Sequence, residues 1–165
     1  MTRTLILMRH AKSSWDTPVT GDHARPLNDR GRRSAAALGE WMLLQGWMPD
    51  QVLSSSSART RETFARLGFI IAGNFTDDLY HAGPDQMLKT LLRASGETVL
   101  LLGHNPGIAE FAGQLVGIEP DHPRFSDYPT GATLVVEFDI DRWDHLKPGT
   151  GTVLDFTVPR DLKTS

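Results

Sequence analysis

Residues 97–103, ETVLLLG, constrain the fold more than any other stretch of the chain. Val99, Leu100, Leu101 and Leu102 follow one another with no polar residue between them. Successive side chains of a strand point to opposite faces, so both faces of this strand are apolar and both need cover. Residues 4–8, TLILM, have the same character. Two such strands call for a mainly parallel sheet buried between layers of helix.

The rest of the chain supplies those layers. Residues 11–26 read as a loop, with Pro18, Gly21 and Pro26. A helix is expected from the N-cap residue Asn28, with Leu38, Trp41 and Met42 at helical spacing and Gly46 at its stop. QVLSS (51–55) reads as a second strand and ARTRETFARLG (58–68) as a helix ending at Gly68. A further helix covers 84–94, with Pro84 near its start and Met87, Leu88, Leu91 and Leu92 as its apolar face. Another covers 105–117, with Pro106 in its first turn. Between residues 69 and 83 the pattern is open. FII fits a helix end, a strand or a packed loop, and DDLYHAG (77–83) fits a short strand with its turn. ATLVVEFDI and GTVLDFTV alternate like antiparallel strands, with Asp139, Ile140 and Asp141 in a solvated hairpin turn. The expected architecture is an α/β three-layer sandwich. Its central sheet is mainly parallel, with helices on both faces and an antiparallel edge strand. One domain spans 1–159, and the polar tail 160–165 is expected to fray.

Composition removes several classes of function. The 165 residues are 39% hydrophobic and 22% charged, as in ordinary globular chains. A net charge of −3 argues against a nucleic-acid partner, while a local basic pocket is still compatible with it. The chain has no cysteine, which rules out disulfides, thiolate metal sites and a cysteine nucleophile. The absence fits a reducing compartment. No apolar stretch approaches a membrane span and no targeting segment is visible, so the expectation is a cytoplasmic chain with no membrane partner. It is expected to be a monomer.

Ligands of open α/β sheets sit beyond the carboxyl ends of the strands. After TLILM come Arg9 and His10. After QVLSS come Ser56, Ser57 and Arg59. After ETVLLLG come His104, Asn105 and Pro106. Each of these features alone is weak: Arg59 would pass for a solvated helix residue and His104 for a satisfied core histidine. Their recurrence at equivalent topological places points to one crevice rich in positive charge. Arginine geometry there suits the oxygens of a phosphoryl group.

The order LMRHA (7–11), SSSARTRET (55–63), GHNP (103–106) resembles the histidine phosphatase, or phosphoglycerate-mutase-like, superfamily. The loop DHARPLNDRG (22–31), the RHAKSSW variant and the short chain resemble its SixA-type phosphohistidine phosphatases. The resemblance implies that His10 is a nucleophile that takes the phosphoryl group, and that water then releases it. It implies that Arg9 and Arg59 clamp the phosphate and that His104 donates to it. Arg25 completes the pocket or meets the leaving side. No metal and no other cofactor is implied, since side-chain cations take that part. Neighbouring cations, His104 among them, are expected to keep His10 neutral.

Two departures stand out. Ala11 holds the place where the superfamily usually has Gly, which matters if that backbone is at positive φ. The segment in which larger members carry an acidic proton donor reads DDLYHAG, with no Glu. Asp77 and Asp78 read as a solvated turn and His81 as a surface residue. An alkoxide leaving group needs a positioned acid, worth roughly 10²–10⁴-fold. A phosphorylated imidazole protonated on its ring leaves as a neutral base and needs less help. The expected substrate is therefore a phosphorylated protein histidine. The alternatives are a small phosphomonoester, a metal-dependent hydrolase and a non-catalytic phosphate-binding module. No His-x-His or His-Glu-x-x-His spacing favours the metal reading. His23, His122 and His145 have no assigned role, and Trp15 and Pro18 are placed at the pocket mouth.

Overall fold

The computed structural model describes residues 1–15 and 21–162. The strands are β1 (Arg3–Arg9), β2 (Gln51–Ser55), β3 (Asn74–Thr76), β4 (Thr98–Gly103), β5 (Thr133–Phe138) and β6 (Thr152–Thr157). The helices are α1 (Asp29–Gln45), α2 (Ala58–Leu67), α3 (Pro84–Leu92) and α4 (Gly107–Leu115). The six strands form one mixed sheet in the order β3-β2-β4-β1-β5-β6. Pairing is parallel from β3 to β1; β5 runs antiparallel to both β1 and β6.

The two apolar runs are central and adjacent, and their alternation builds two cores. Leu5, Leu7, Val99 and Leu101 pack on one face with Met87 and Leu91 of α3 and with Ile108, Phe111 and Leu115 of α4. Ile6, Met8, Leu100 and Leu102 pack on the other with Leu38 and Met42 of α1 and Phe64 and Leu67 of α2. A run with no polar member is what a doubly covered strand requires.

The caps explain the helix bounds. The Asn28 side chain accepts from Gly31 N, and Gly46 closes α1 at φ 80°. Ser57 accepts from Thr60 N at the start of α2, and Gly68 closes it at φ 86°. Pro84 opens α3. Pro106 lies one position before α4, whose helical run starts at Gly107. The open stretch 69–83 resolves into the three-residue edge strand β3 and a 3₁₀ turn, Asp77–Leu79. The side chain of Thr76 accepts from Asp78 N there, which favours the turn over the strand expected for DDLYHAG. Beyond β6, Pro159–Asp161 form another 3₁₀ turn, with Leu162 against the α1–α2 core. Asp161 pairs there with His122 at 2.7 Å.

The register does more than close the core. Arg9 of β1 lies opposite Gly103 of β4, so His10 and His104 leave the sheet side by side. Ser54 of β2 lies opposite Leu102, which brings the serine run to the same edge. Three strand ends that are far apart in sequence thus become one ledge.

Candidate active site

His10 is the floor of this ledge, with only 4% of its surface exposed. Its Nδ1 lies 2.7 Å from the Ala11 carbonyl, which can only accept, so Nδ1 carries the proton. In the neutral ring, Nε2 then holds the lone pair. Burial pushes the His10 pKa down to about 3; the Ala11 bond opposes this, and Arg9, Arg59 and Arg25 add to it. The neutral nucleophile expected from neighbouring cations therefore owes its neutrality first to desolvation.

Ala11 is fully buried and is absent from the described residues at positive φ, so its Cβ costs nothing there. Its N–H donates to Thr63 Oγ1 at 3.0 Å. The loop beyond it is tied down by Asn28 N to Lys12 O at 3.1 Å and Ser14 N to Pro26 O at 2.8 Å. Gly31 permits that approach, because a Cβ there would stand 2.0 Å from Lys12 O. These ties hold the Arg25–Leu27 segment against the His10 loop.

Three guanidinium groups surround His10. Arg59 enters from the first turn of α2 and is 2% exposed. Its Nη1 donates to Asp22 O at 2.9 Å and its Nη2 to Asp22 Oδ2 at 3.0 Å. Arg25 donates to Ser13 Oγ, and to Asp22 Oδ1 at 3.0 Å. The exposed Trp15 ring covers it at 3.8 Å. Trp15 thus stands at the pocket mouth; Pro18 lies outside the described residues. Arg9 donates to the Tyr128 carbonyl at 3.2 Å. The same carbonyl accepts from Asn105 Nδ2 at 3.1 Å, which ties the first motif to the third. Burial and the nearby Arg59 charge lower the Arg9 pKa, with Asp127 opposing.

His104 stands beside His10 with ring centroids 5.2 Å apart. Its Nε2 meets Ser55 Oγ at 2.8 Å, and its Nδ1 is buried with no partner. Burial lowers its pKa to about 2, with His10, Arg59 and His81 contributing and Asp22 opposing. His104 is thus a neutral ring, not the cation expected from the sequence. If Ser55 donates to Nε2, Nδ1–H is an open donor.

Four buried side-chain nitrogens of this site have no hydrogen-bond partner within the protein: Nε of Arg9, Arg25 and Arg59, and Nδ1 of His104. Among the described residues only Trp47 Nε1 shares that condition elsewhere. Buried polar nitrogens ordinarily find partners, and four without one around a neutral histidine form an arrangement that can receive an anion's oxygens.

The neighbourhood holds residues the sequence did not flag. Asp22 precedes the Arg25–Leu27 segment and lies on Arg25 and Arg59. Tyr80 OH donates to Asp22 Oδ2 at 2.5 Å, and His81 Nε2 meets the same oxygen at 3.0 Å. The Tyr80 and His81 rings lie 5.5 and 5.2 Å from His104. His81 is exposed, as expected, and lies at the rim of the site. His23, left without a role by the sequence, lies there too, with Nε2 2.9 Å from Ser56 Oγ. Ser56 also donates to Asp77, which ties the 77–79 turn to the ledge. His145, by contrast, lies by Asp144, away from this group. No group of three or more His, Asp or Glu among the described residues is placed to hold a metal ion.

Sequence comparison agrees with the geometry. Residues 5–72 match the model of the histidine phosphatase superfamily, branch 1. The chain belongs to the histidine phosphatase superfamily. It is 31% identical over 160 residues to an uncharacterized protein of Mycobacterium tuberculosis, covering 93% of this chain and all of that one. It is similar to a Nakamurella multipartitia structure assigned as the phosphohistidine phosphatase SixA, at 29% identity and a TM-score of 0.82, over 96% of this chain and 97% of that one. The protein histidine phosphatase SixA solved with tungstate shares the fold, at 21% identity and a TM-score of 0.77, over 97% and 99% of the two chains. No helix among the described residues is long and apolar enough to cross a membrane.

The two buried histidines make a prediction for stability. Unfolded, each protonates near 6.5; folded, His10 does so near 3 and His104 near 2. Between those values the unfolded chain binds more protons, so stability falls as pH falls below 6.5. Each histidine contributes up to ~1.4 kcal/mol per pH unit in that window. Denaturant midpoints between pH 7 and 4 should show this decline, and His104→Gln should make it shallower. An equal slope in the variant would contradict the assigned neutrality of His104.

Proposed function

We propose that this histidine phosphatase superfamily member hydrolyses phosphohistidine in proteins through a phosphoenzyme on His10. One observation carries the reading: a neutral histidine with its Nε2 lone pair free stands among four buried arginine and histidine nitrogens that have no partner within the protein. SixA of the same fold takes tungstate, a tetrahedral oxyanion, which supports a phosphoryl ligand here.

The chemistry follows from the side chains. Arg9, Arg59 and Arg25 hold the phosphoryl oxygens, and His104 Nδ1–H adds a neutral donor. His10 Nε2 forms a bond to phosphorus as the bond to the leaving nitrogen breaks in line. The electron pair of that bond returns to the substrate ring. A ring protonated on its other nitrogen departs as neutral imidazole. Phospho-His10 keeps its Nδ1–H on Ala11 O, so it too is a phosphorylated imidazolium and a good leaving group. Water then attacks phosphorus, Nε2 recovers its pair, and the water protons pass to phosphate and solvent. Side-chain cations supply the charge stabilisation throughout.

The test compares turnover of a phosphohistidine peptide, phosphoramidate and an alkyl phosphomonoester by the purified protein. Phosphohistidine should be preferred by kcat/KM, with an acid-labile, base-stable phosphoenzyme trapped during turnover. A strong preference for the phosphomonoester would refute the P–N assignment and leave the small-ester reading.

A further inference from the structure

His10 forms the floor of the site, so in-line transfer places the leaving group on the solvent side of phosphorus. The groups on that side are the partly exposed ones. The Asp22 side chain is 40% exposed and His81 is 52% exposed, whereas Arg59 is 2% exposed. Asp22 is joined to Arg25 and Arg59, two of the three arginines, through its two carboxylate oxygens, and also to Tyr80 and His81. Such a carboxylate beside a phosphate clamp is costly for a bare oxyanion. It repels the ligand and occupies arginine donors that the ligand would use. Its presence makes sense if the true substrate brings a positive charge or an N–H to meet it.

We propose that Asp22 is a specificity-determining residue: its carboxylate accepts a hydrogen bond from the protonated, cationic leaving group of the substrate and disfavours neutral or anionic ones. The proposal rests on the phosphohistidine reading and deepens it by assigning the leaving side of the pocket. The ring N–H of a phosphorylated imidazolium would donate to Asp22 while the opposite ring nitrogen surrenders phosphorus. The proton stays on the ring, and the product is neutral imidazole. Asp22 therefore need not be an acid. Burial alone would raise its pKa, but bonds from Tyr80 and Arg25, the charge of Arg59 and the His81 contact hold it well below the ordinary carboxylate range. It stays ionised wherever the protein is folded and active, as an acceptor must. The charged and titratable groups on it are Arg25 from its own segment, Arg59 from α2, and Tyr80 and His81 from the segment after β3.

The test is Asp22→Asn, read three ways. The ratio of kcat/KM for a phosphohistidine peptide over p-nitrophenyl phosphate should fall at least about tenfold, as expected for a lost charge-assisted bond. Tungstate inhibition should tighten, because a repelling charge is gone. The alkaline limb of kcat on phosphohistidine should move down by about one pH unit, because the bound imidazolium loses its carboxylate. Asp22→Glu should restore most of the ratio. Parallel losses on both substrates with weaker tungstate binding would overturn the proposal and leave Asp22 as a brace for the arginines. A ratio unchanged within about threefold would overturn it as well. A second arm needs no variant and holds even if Asp22→Asn fails to fold. Aryl phosphates of matched leaving-group acidity, bearing an ammonium or a carboxylate substituent, are compared on the wild type. The ammonium compound should be the better substrate by about fivefold or more, and equal turnover would refute the proposal. Failure of the wild type to form any phosphoenzyme is a different result, since it removes the phosphatase reading itself.

Discussion

His10→Ala should lose at least about 10³-fold in kcat/KM on every phosphoryl substrate and should yield no trapped phosphoenzyme, since removing a nucleophile costs more than removing any helper. The geometry says why no neighbour can replace it. His104 is the nearest ring described, but its Nε2 is engaged by Ser55 and its Nδ1 is the side that is open as a donor. His81 and His23 sit at the rim, on Asp22 and Ser56. The arginines stay where they are, because Arg59 and Arg25 are anchored on Asp22 and Arg9 on Tyr128 O. The variant should therefore still bind tungstate within about tenfold of the wild type, with chemistry lost and the clamp retained. Intact-mass analysis after mixing with substrate and quenching in base measures the phosphoenzyme. Turnover near the wild-type rate would end the covalent mechanism.

Much of this candidate site was legible because it rests on strand ends. The runs 4–8 and 98–102 force two adjacent, doubly covered strands, and the residues that follow such strands face the ligand crevice. Arg9, His10, Arg59 and His104 could be read from that rule and from the motif order. The structure adds the register, Arg9 opposite Gly103, that sets the two histidines side by side. What stayed hidden depends on contacts with no local pattern. Asp22 meets Tyr80 and His81 across 58 and 59 residues of chain, and nothing near any of the three announces it. The strand β3 has three residues and no apolar run; it exists because the edge of β2 offers it a partner. The neutrality of His104 escaped because desolvation belongs to the folded molecule, whereas residue type suggested only a possible cation. Ala11 looked like a strained replacement for Gly, and the fold removes the strain.

Arg59→Lys should lower kcat/KM by about 10²–10³-fold, in the range expected when one preorganised donor to transition-state charge is lost. The substitution keeps the positive charge, so any large loss reports geometry. Arg59 spends both terminal nitrogens on Asp22, one on its carbonyl and one on its carboxylate, and its buried Nε is unused. A lysine offers one compact ammonium in place of a planar fork. It can face Asp22 or the phosphoryl oxygens, and it cannot span both. The released carboxylate would then be freer to oppose the incoming phosphate, so KM for every oxyanion should rise along with the fall in kcat. Asp22→Asn on the Arg59→Lys background should recover part of the KM loss and little of kcat, because the repulsion goes while the fork is still missing. Thermal unfolding should change less than activity does, since Asp22 is partly solvated and keeps Arg25 and Tyr80 as partners. A kcat/KM for Arg59→Lys within about threefold of the wild type would mean that charge alone suffices at this position, and the clamp would then have to be sought in Arg9 and Arg25.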